Sequence, residues 1–222
     1  WVDGNPDPAG THESKMIGDQ LQDGDYPEVK FDPPPSLISS ARYRVVYTGT
    51  DRAGNTSTYV LGTLFFDNEP PEISMLFPIE NGFTNMNEVS YELNEPLLMA
   101  NLIWTSIDGA ETISIDLTGD ELKSGIFAQA TLANQSELSD GTVYNLSITA
   151  IDLSGNEAEI SLVNHVTYDK SKPKFTQVFP STSARVNSQL LKWTANEELV
   201  SGKYTWIHMG GNADPSAPHT FE

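Results

Sequence analysis

Short stretches in which apolar and polar residues alternate recur along the chain, and this two-residue period is typical of β-strands with one buried face. Within residues 88–93, Val89, Tyr91 and Leu93 alternate with polar residues. Fourteen Pro and sixteen Gly residues punctuate such stretches, as expected for the turns of an all-β protein. The central part of the chain is therefore predicted to contain seven strands, at residues 73–77, 88–93, 101–105, 112–117, 126–132, 143–151 and 158–168.

The sequence repeats itself at a spacing of about 100 residues, which is the signature of tandem domains. Residues 77–78 (Phe-Pro) return as residues 179–180, at a spacing of 102. Residues 51–55 (Asp-Arg-Ala-Gly-Asn) return as residues 152–156 (Asp-Leu-Ser-Gly-Asn), at a spacing of 101. The repeat predicts three segments: the C-terminal part of one repeat (1–66), a complete repeat (67–168) and the N-terminal part of a third (169–222).

Seven short strands in about 100 residues, with a tryptophan in the third, predict a Greek-key β-sandwich of the immunoglobulin type. Trp104 and its counterpart Trp206 are expected to lie in the cores between sheets, and Trp1 stands at the equivalent position of the first repeat. A half-sandwich cannot bury its faces or pair its edges. The first and last segments are therefore expected either to continue in a longer array or to be completed by neighbouring molecules.

Charge and composition exclude several classes of partner and site. The formal net charge is −19, from 31 Asp and Glu against 12 Lys and Arg. Such a surface repels phosphate backbones, so nucleic acid is not an expected partner. No stretch approaches the roughly 18 consecutive apolar residues of a membrane-spanning helix, so no membrane insertion of this segment is expected. The chain has no cysteine, which excludes disulfides and zinc–thiolate sites.

Acidic residues fall in turns that the predicted topology gathers at one end of the central sandwich. In a Greek-key sandwich, the turns after the second, fourth and sixth strands lie at the same end as the start of the first strand. Calcium takes about six to eight oxygen ligands, several of which can be carboxylates on separate loops. One interpretation of these residues is therefore calcium at the junction between the first two segments, bound by five carboxylates: Asp67, Glu69, Glu95, Asp120 and Asp152.

A purely structural explanation of the acidic turns remains open. In the Asp-x-x-Gly-Asn turns that begin at Asp51 and Asp152, the Asp side chain can accept backbone N–H bonds, and Gly can take a positive φ. In addition, residues 170–172 (Lys-Ser-Lys) replace residues 68–70 (Asn-Glu-Pro) at the next junction. Two cations at that place oppose calcium binding, so at most some junctions are expected to bind metal.

A second acidic pattern occurs near the start of the chain. Asp3, Asn5 and Asp7 resemble the opening of a calcium loop. However, Pro8 stands where glycine is expected, and Ser14 stands where the loop requires Glu. A simple turn is the favoured interpretation.

No pattern of a known catalytic site is found, so an enzyme is not expected. The chain has no His-x-x-x-His, no Gly-x-Ser-x-Gly and no phosphate-binding loop. Of the four histidines, His12 and His219 both follow a Trp-containing strand and are interpreted as equivalent structural residues. The remaining two are His165 and His208.

Three motifs together resemble a known family. They are Asp-x-Ala/Ser-Gly-Asn at 51–55 and 152–156, Tyr/Phe-Asp-x-x-x-Pro at 66–71 and 168–173, and Asn-Glu-x-Leu at 94–97 and 196–199. They resemble the bacterial immunoglobulin-like, or cadherin-like, tandem repeats of large surface or secreted proteins, over nearly the whole chain. The resemblance implies a non-catalytic stalk, spacer or adhesive array outside the cell, often stabilised by calcium. The implied partners are neighbouring repeats or like subunits, and a surface or glycan ligand.

Two alternative functions remain open at this point. The end segments of separate molecules could complete each other by strand exchange, which would make the chain a filament or sheath subunit. The chain could instead be a carbohydrate-binding accessory region of a secreted enzyme. That function requires a row of exposed aromatic residues on one sheet face, for which the candidates are Tyr26, Phe31, Phe127 and Tyr204.

Overall fold

The computed structural model describes residues 2–29, 33–130, 132–134, 136–158 and 161–221. The chain divides into two compact units, Trp1–Asp169 and Lys170–Glu222. In the described residues, strands form several sheets, and the helical elements are two short 3₁₀ turns, Gly18–Leu21 and Gly119–Leu122. The prediction of an all-β protein is confirmed.

The strands follow one another along the chain with short connections. In the first unit they are β1 (Asp3–Gly4), β2 (Ala41–Thr50), β3 (Thr56–Phe66), β4 (Ile73–Phe77), β5 (Phe83–Thr84), β6 (Val89–Leu93), β7 (Leu97–Ser106), β8 (Thr112–Asp116), β9 (Gly125–Ala130), β10 (Thr142–Asp152) and β11 (Ser161–Tyr168). In the second unit they are β12 (Phe175–Phe179), β13 (Lys192–Ala195), β14 (Tyr204–Trp206) and β15 (His219–Phe221).

The central segment contains two sheets. One has the order β4-β6-β9, and the other has the order β5-β11-β10-β7-β8. Neighbouring strands run antiparallel, except β5 and β11, which run parallel. Each of the seven predicted strands is present, although the third begins earlier, at Leu97. Residue 131 and residues 159–160, which fall in the fifth and seventh predicted strands, lie outside the described residues.

A single apolar core joins the two sheets of the central segment. Along β10 every second residue is buried, because the two-residue period of a strand turns one face toward the core. Trp104 is 1 % exposed and packs edge-to-face on Tyr144, with ring centroids 5.9 Å apart. Tyr91, from the opposite sheet, stacks on Phe127 at 5.1 Å. The predicted core position of Trp104 is confirmed.

The first segment forms a smaller, three-stranded sheet with the order β1-β2-β3. Ala41 and Tyr43 are buried at its start. The Tyr43 hydroxyl donates to Oδ2 of Asp7 at 2.7 Å and accepts from the N–H of Ile38 at 2.8 Å. Further along β2 the side chains become exposed. Trp1 lies outside the described residues.

The second unit contains two separate two-stranded sheets, β12–β13 and β14–β15. Large apolar side chains of this unit are exposed, among them Phe175 and Trp193. Trp206 is only half-buried, so its side chain is less enclosed than that of Trp104. The expected core position of Trp206 is thus only partly attained.

Local structure recurs at the spacing of the sequence repeat. The N–H of Glu72 donates to Oδ1 of Asn94 at 2.9 Å, and the N–H of Lys174 donates to Oδ1 of Asn196 at 2.5 Å. Strand pairing recurs in the same way, since Ile73 lies opposite Leu93 in β4–β6 and Phe175 lies opposite Ala195 in β12–β13. The two 3₁₀ turns are also 101 residues apart. Equivalent positions can therefore be compared between segments.

Candidate functional site: a carboxylate triad

The turn between β10 and β11 fixes the position of the Asp152 carboxylate. Its Oδ1 accepts the N–H groups of Ser154 at 2.7 Å and Asn156 at 2.9 Å, and its Oδ2 accepts the side-chain amide of Asn156 at 2.7 Å. Gly155 has a φ of +94°, in the left-handed region that glycine adopts at little cost. Asp152 is 0 % exposed, so this turn places a carboxylate inside the protein.

The equivalent turn between β2 and β3 has the same hydrogen bonds. Oδ1 of Asp51 accepts the N–H groups of Ala53 at 2.9 Å and Asn55 at 2.8 Å, and Oδ2 accepts the side-chain amide of Asn55 at 2.9 Å. Asp51 is exposed, however. The motif thus has a structural role in both turns, and only in the second is its Asp carboxylate buried.

Asp67 lies immediately after β3 and is held by residues from both sides of the junction. Its Oδ1 accepts the hydroxyl of Ser39 at 2.7 Å and the N–H of Glu69 at 3.2 Å. Its backbone carbonyl accepts the side-chain amide of Asn156 at 3.2 Å. Ser39 belongs to the first segment and Asn156 to the central one, so Asp67 links the two.

Glu95, in the turn between β6 and β7, completes a group of three carboxylates. One side-chain oxygen from each of Asp67, Glu95 and Asp152 lies within 4.8 Å of the others. We call these residues the carboxylate triad. In the described part of the chain, the ion pairs lie elsewhere and include no member of the triad. Three negative charges therefore converge without a paired side-chain cation.

The triad borders a polar pocket of about 340 Å³. The pocket is lined by Ser40, Asp67, Glu69, Pro70, Glu72, Asn94 and Glu95. Glu72 was not among the residues that the sequence suggested. Glu72 lies directly before β4 and opposite Asn94, whose side-chain oxygen accepts the N–H of Glu72. That position could have identified Glu72 as a junction residue. The pocket thus adds two carboxylates, Glu69 and Glu72, close to the triad.

The surroundings shift the pKa values of Glu95 and Asp152 in opposite directions. Partial burial, together with the charges of Asp67, Asp152 and Glu69, raises the pKa of Glu95. Burial also disfavours ionisation of Asp152, but hydrogen bonds from Asn156, Ser154 and Gly155 outweigh it, so the pKa of Asp152 lies below its usual value. Asp152 is accordingly a stable anion, whereas Glu95 ionises against the repulsion of its neighbours.

Of the five carboxylates suggested by the sequence, the structure brings Asp67, Glu95 and Asp152 together, and Glu69 lies in the adjoining pocket. Asp120 is not a member of the group. Its carboxylate instead pairs with Nζ of Lys123 at 2.5 Å, in an exposed ion pair at the 3₁₀ turn. Lys123, three residues after Asp120, forms this ion pair, whereas the ion pairs of the described residues include none of Asp67, Glu95 and Asp152.

The donor set of the triad suits a hard divalent cation. All three side chains offer carboxylate oxygens, which are the ligands that calcium and magnesium prefer. Two oxygens bound to the same calcium ion can be at most about 5 Å apart, because each Ca–O distance is about 2.3–2.6 Å. The triad oxygens meet this limit. A divalent cation bound there would also offset the repulsion that acts on Glu95.

The acidic residues near the start of the chain do not converge in this way. Asp3 pairs with Arg42 at 3.2 Å, and the side-chain amide of Asn5 donates to the carbonyl of Ser39 at 3.0 Å. Oδ2 of Asp7 bonds the ring of His12 at 2.6 Å as well as Tyr43. These contacts agree with the interpretation of this stretch as a turn.

His12 and His219 occupy equivalent turns, as their sequence context suggested. His12 bonds Asp7, and His219 bonds Asp214 at 2.9 Å. In both cases the histidine follows its aspartate by five residues. In both turns, the aspartate also accepts the N–H of the residue two positions later. The pair is part of a structured turn.

The aromatic candidates for carbohydrate binding have different surroundings. Phe127 packs on Tyr91 against the central core. The hydroxyl of Tyr26 donates to the carbonyls of Asp19 and Gln22. Tyr204, in the second unit, stacks on Phe221. Phe31 lies outside the described residues, so the described candidates give no support for one exposed aromatic row.

Among the described residues, no helix has the length and apolar character needed to cross a membrane. No protein-family model matches the sequence. No curated protein matches it at a significant level.

Proposed function

We propose that this chain is a non-catalytic structural segment of an extracellular bacterial protein, in which immunoglobulin-like repeats in series act as a stalk or spacer. Calcium bound by the carboxylate triad would stiffen the junction between the first and central segments. The single observation that carries the proposal is the convergence of Asp67, Glu95 and Asp152 at that junction. The repeat motifs, and the recurrence of local structure at their spacing, support the serial arrangement.

The placement of Asp67 explains how a bound cation would act mechanically. Its side chain bonds Ser39 of the first segment, while its carbonyl bonds Asn156 of the central segment. The other two triad residues belong to turns of the central segment. A cation that bridges all three would therefore fix Asp67 to the turns of the central segment. Through its bond to Ser39, Asp67 would then hold the end of the first segment more firmly, which limits bending of the junction.

The two junctions differ in charge, and this difference supports a local role for calcium. The junction at Asp67 lies within one compact unit, whereas the chain divides into its two units directly after Asp169. Lys170 and Lys172 occupy the second junction in place of Asn68 and Pro70. We therefore propose a stiffened acidic junction and a second junction without calcium.

A spacer role is also consistent with the acidic surface and the absence of cysteine. A net charge of −19 keeps extended surface proteins soluble and separate. A chain without thiols is unaffected by an oxidising environment. In a spacer of repeats, stability is roughly a sum of repeat and junction contributions, so calcium at one junction would raise the stability of that part of the chain.

Calorimetry with calcium and with EDTA tests the proposal. At about 5 mM calcium, and with a Kd of about 10⁻⁴–10⁻³ M as in extracellular modules, binding should stabilise the protein by about 1–2 kcal/mol. For a protein of this size, the melting transition should rise by about 2–6 °C. An unchanged transition in calcium would contradict the calcium part of the proposal.

The repeated turn supplies a matched control. Asp152→Asn and Asp51→Asn alter the same hydrogen-bonded turn, but only Asp152 belongs to the triad. We expect Asp152→Asn to abolish the calcium-induced rise and Asp51→Asn to retain it. Equal loss in both variants would show that calcium acts elsewhere.

A further inference from the structure

The inner face of the β2–β3 sheet is exposed, although the equivalent face of the central segment is buried. Tyr47 is 46 % and Tyr59 is 65 % exposed. Ile148, which is equivalent to Tyr47 at the 101-residue spacing, is fully buried in the central core. We call the following residues the uncovered face: the exposed Tyr47, Tyr59 and Leu61, and the half-buried Val45, Leu64 and Phe66 beside them.

The central segment shows which kind of element covers such a face. There the β4-β6-β9 sheet contributes Val89, Tyr91 and Leu93 to the same core as the β10–β11 side chains. Among the described residues, the first segment has no strands equivalent to β4 and β6. A sheet of the β4–β6 type would cover this face in the same way.

The second unit contains strands equivalent to β4 and β6. At a spacing of 102 residues, β12 corresponds to β4 and β13 corresponds to β6, and the pairing registers of the two sheets match. Trp193 is equivalent to the buried Tyr91, yet it is 50 % exposed. Beside it lies a pocket of about 450 Å³, which is lined by Gln177, Leu191, Lys192, Trp193 and Thr194.

One aromatic pair indicates how the two faces would fit. In the central segment, Tyr91 lies opposite Phe127 in the β6–β9 pairing and stacks on its ring. Tyr26 of the first segment is equivalent to Phe127 at a spacing of 101 residues, and Tyr26 is also exposed. Residues 24–29 form no strand in the described chain, but if β13 occupied the place of β6 and they paired with it as β9 pairs with β6, Trp193 would lie opposite Tyr26.

Charge favours association of the second unit with another copy. Residues 170–222 contain six Lys and Arg and four Asp and Glu, a net charge of +2, whereas residues 1–66 have five against nine, a net charge of −4. Residues 67–169 have one against eighteen, a net charge of −17. The second unit is thus the basic segment of an acidic chain, and it is attracted to the acidic central segment of another copy as well as to the first segment.

We propose that the second unit of one molecule covers the uncovered face of a second copy, so that β12 and β13 complete its sandwich. The contact joins two different surfaces, the uncovered face of one copy and the second unit of another. Every assembly therefore keeps one free uncovered face and one free second unit at its ends, and association continues head to tail. The inference rests on the equivalence of the segments and requires no calcium, so its failure would leave the junction proposal intact.

Sedimentation velocity in EDTA over a range of concentrations tests the association. We expect the average mass to rise well beyond that of a dimer as concentration increases. Tyr47→Lys and Trp193→Lys should each abolish the rise. Val46→Lys is the matched control, because Val46 is also exposed but lies on the opposite face of β2. If the wild-type chain stays monomeric, the proposal is overturned. The uncovered face would then be covered by a segment other than residues 170–222.

A mixing experiment separates the specific contact from general stickiness. The Tyr47→Lys variant retains its second unit, and the Trp193→Lys variant retains its uncovered face. Each should be monomeric alone, whereas an equimolar mixture should form a heterodimer that grows no further. A mixture that remains monomeric would contradict the proposed pairing.

Engineered cysteines give a check that does not depend on the lysine variants. The chain has no cysteine of its own, so a chain with both Tyr26→Cys and Trp193→Cys can form only the introduced disulfides. Cross-strand pairs have Cβ atoms about 4.5–5.5 Å apart, close to the separation that a disulfide spans. Mild oxidation should give a ladder of linked chains. Val46→Cys with Trp193→Cys is the control and should give none above background.

Discussion

The side-chain amide of Asn156 donates a hydrogen bond at 3.2 Å to the backbone carbonyl of Asp67, which lies 89 residues earlier in the chain. The same amide also bonds Oδ2 of Asp152 at 2.7 Å. One asparagine therefore connects the linker to the turn that carries a triad carboxylate. The geometry of the triad depends on this connection, since Asp67 and Asp152 belong to elements far apart in sequence.

Replacing Asn156 with alanine should loosen the junction. The variant loses the turn bond and the bond to Asp67, and we expect it to cost about 1–2 kcal/mol. Asn55→Ala removes only the equivalent turn bond in the first segment and should cost less. Urea denaturation measures the free energies of unfolding, and hydrogen exchange of the backbone amides of Asn68, Glu69 and Glu72 should accelerate only in Asn156→Ala. Equal exchange in the two variants would contradict the linking role.

Removing the charge of Glu95 should stabilise the metal-free protein. Burial and the nearby carboxylates raise the pKa of Glu95 in the folded state, so its contribution favours folding below the unfolded pKa of about 4.5 and is lost as the pH rises through the folded pKa. At neutral pH in EDTA, Glu95→Gln should therefore melt about 1–2 °C higher than the wild type.

Calcium should reverse the order of these two proteins. Wild-type protein gains the binding free energy, whereas Glu95→Gln has lost one ligand and should gain little. Glu92→Gln is a control on the exposed side of β6 and should keep the full calcium response. If Glu95→Gln melted below the wild type in EDTA, the repulsion within the triad would be disproved.

The alternating pattern predicted the central strands well, for a physical reason. In residues 88–93 the period of two is set by the geometry of a strand with one buried face, so sequence and structure agree to within one residue at β6. The start of β7 was predicted four residues late. Residues 97–100 (Leu-Leu-Met-Ala) are all apolar and show no period, and they are in a strand because β10 pairs with them.

The sequence repeat predicted less about the ends of the chain. Residues 24–29 are equivalent to β9 but form no strand. A strand requires a partner for its backbone groups, and the partner of β9 is β6, which has no described equivalent in the first segment. Sequence similarity between segments therefore identifies equivalent positions without ensuring that each adopts the same structure.

The triad could be predicted only in part. Topology alone brings the turns that carry Glu95 and Asp152 to the start of β4, next to Asp67. Asp120, which the sequence also suggested, instead pairs with the nearby Lys123. The distances within the triad depend on hydrogen bonds such as that of Asn156 to Asp67, which no pattern in the sequence specifies.

The Asp7 carboxylate should make the first segment sensitive to acid. Hydrogen bonds from His12 and Tyr43 lower its pKa from 3.8 to about 2. Its contribution to stability is present above pH 4 and is lost as the pH falls toward 2. Asp7→Asn should therefore lose less stability than the wild type between pH 4 and pH 2 in thermal melts. Asp3→Asn is the control, since its exposed ion pair contributes little; equal slopes in wild type and Asp7→Asn would contradict the prediction.

Trp104 should be the side chain on which the central sandwich depends most. It is fully enclosed between the sheets and packs on Tyr144, so Trp104→Ala leaves a large cavity and should cost about 3–5 kcal/mol. Trp104→Phe keeps most of the packing and should cost less. Trp193→Ala is the matched control because Trp193 is half-exposed, and at low concentration it should change stability by less than about 1 kcal/mol. Guanidinium denaturation measures all three variants, and a small loss in Trp104→Ala would show that the core tolerates the cavity by collapse.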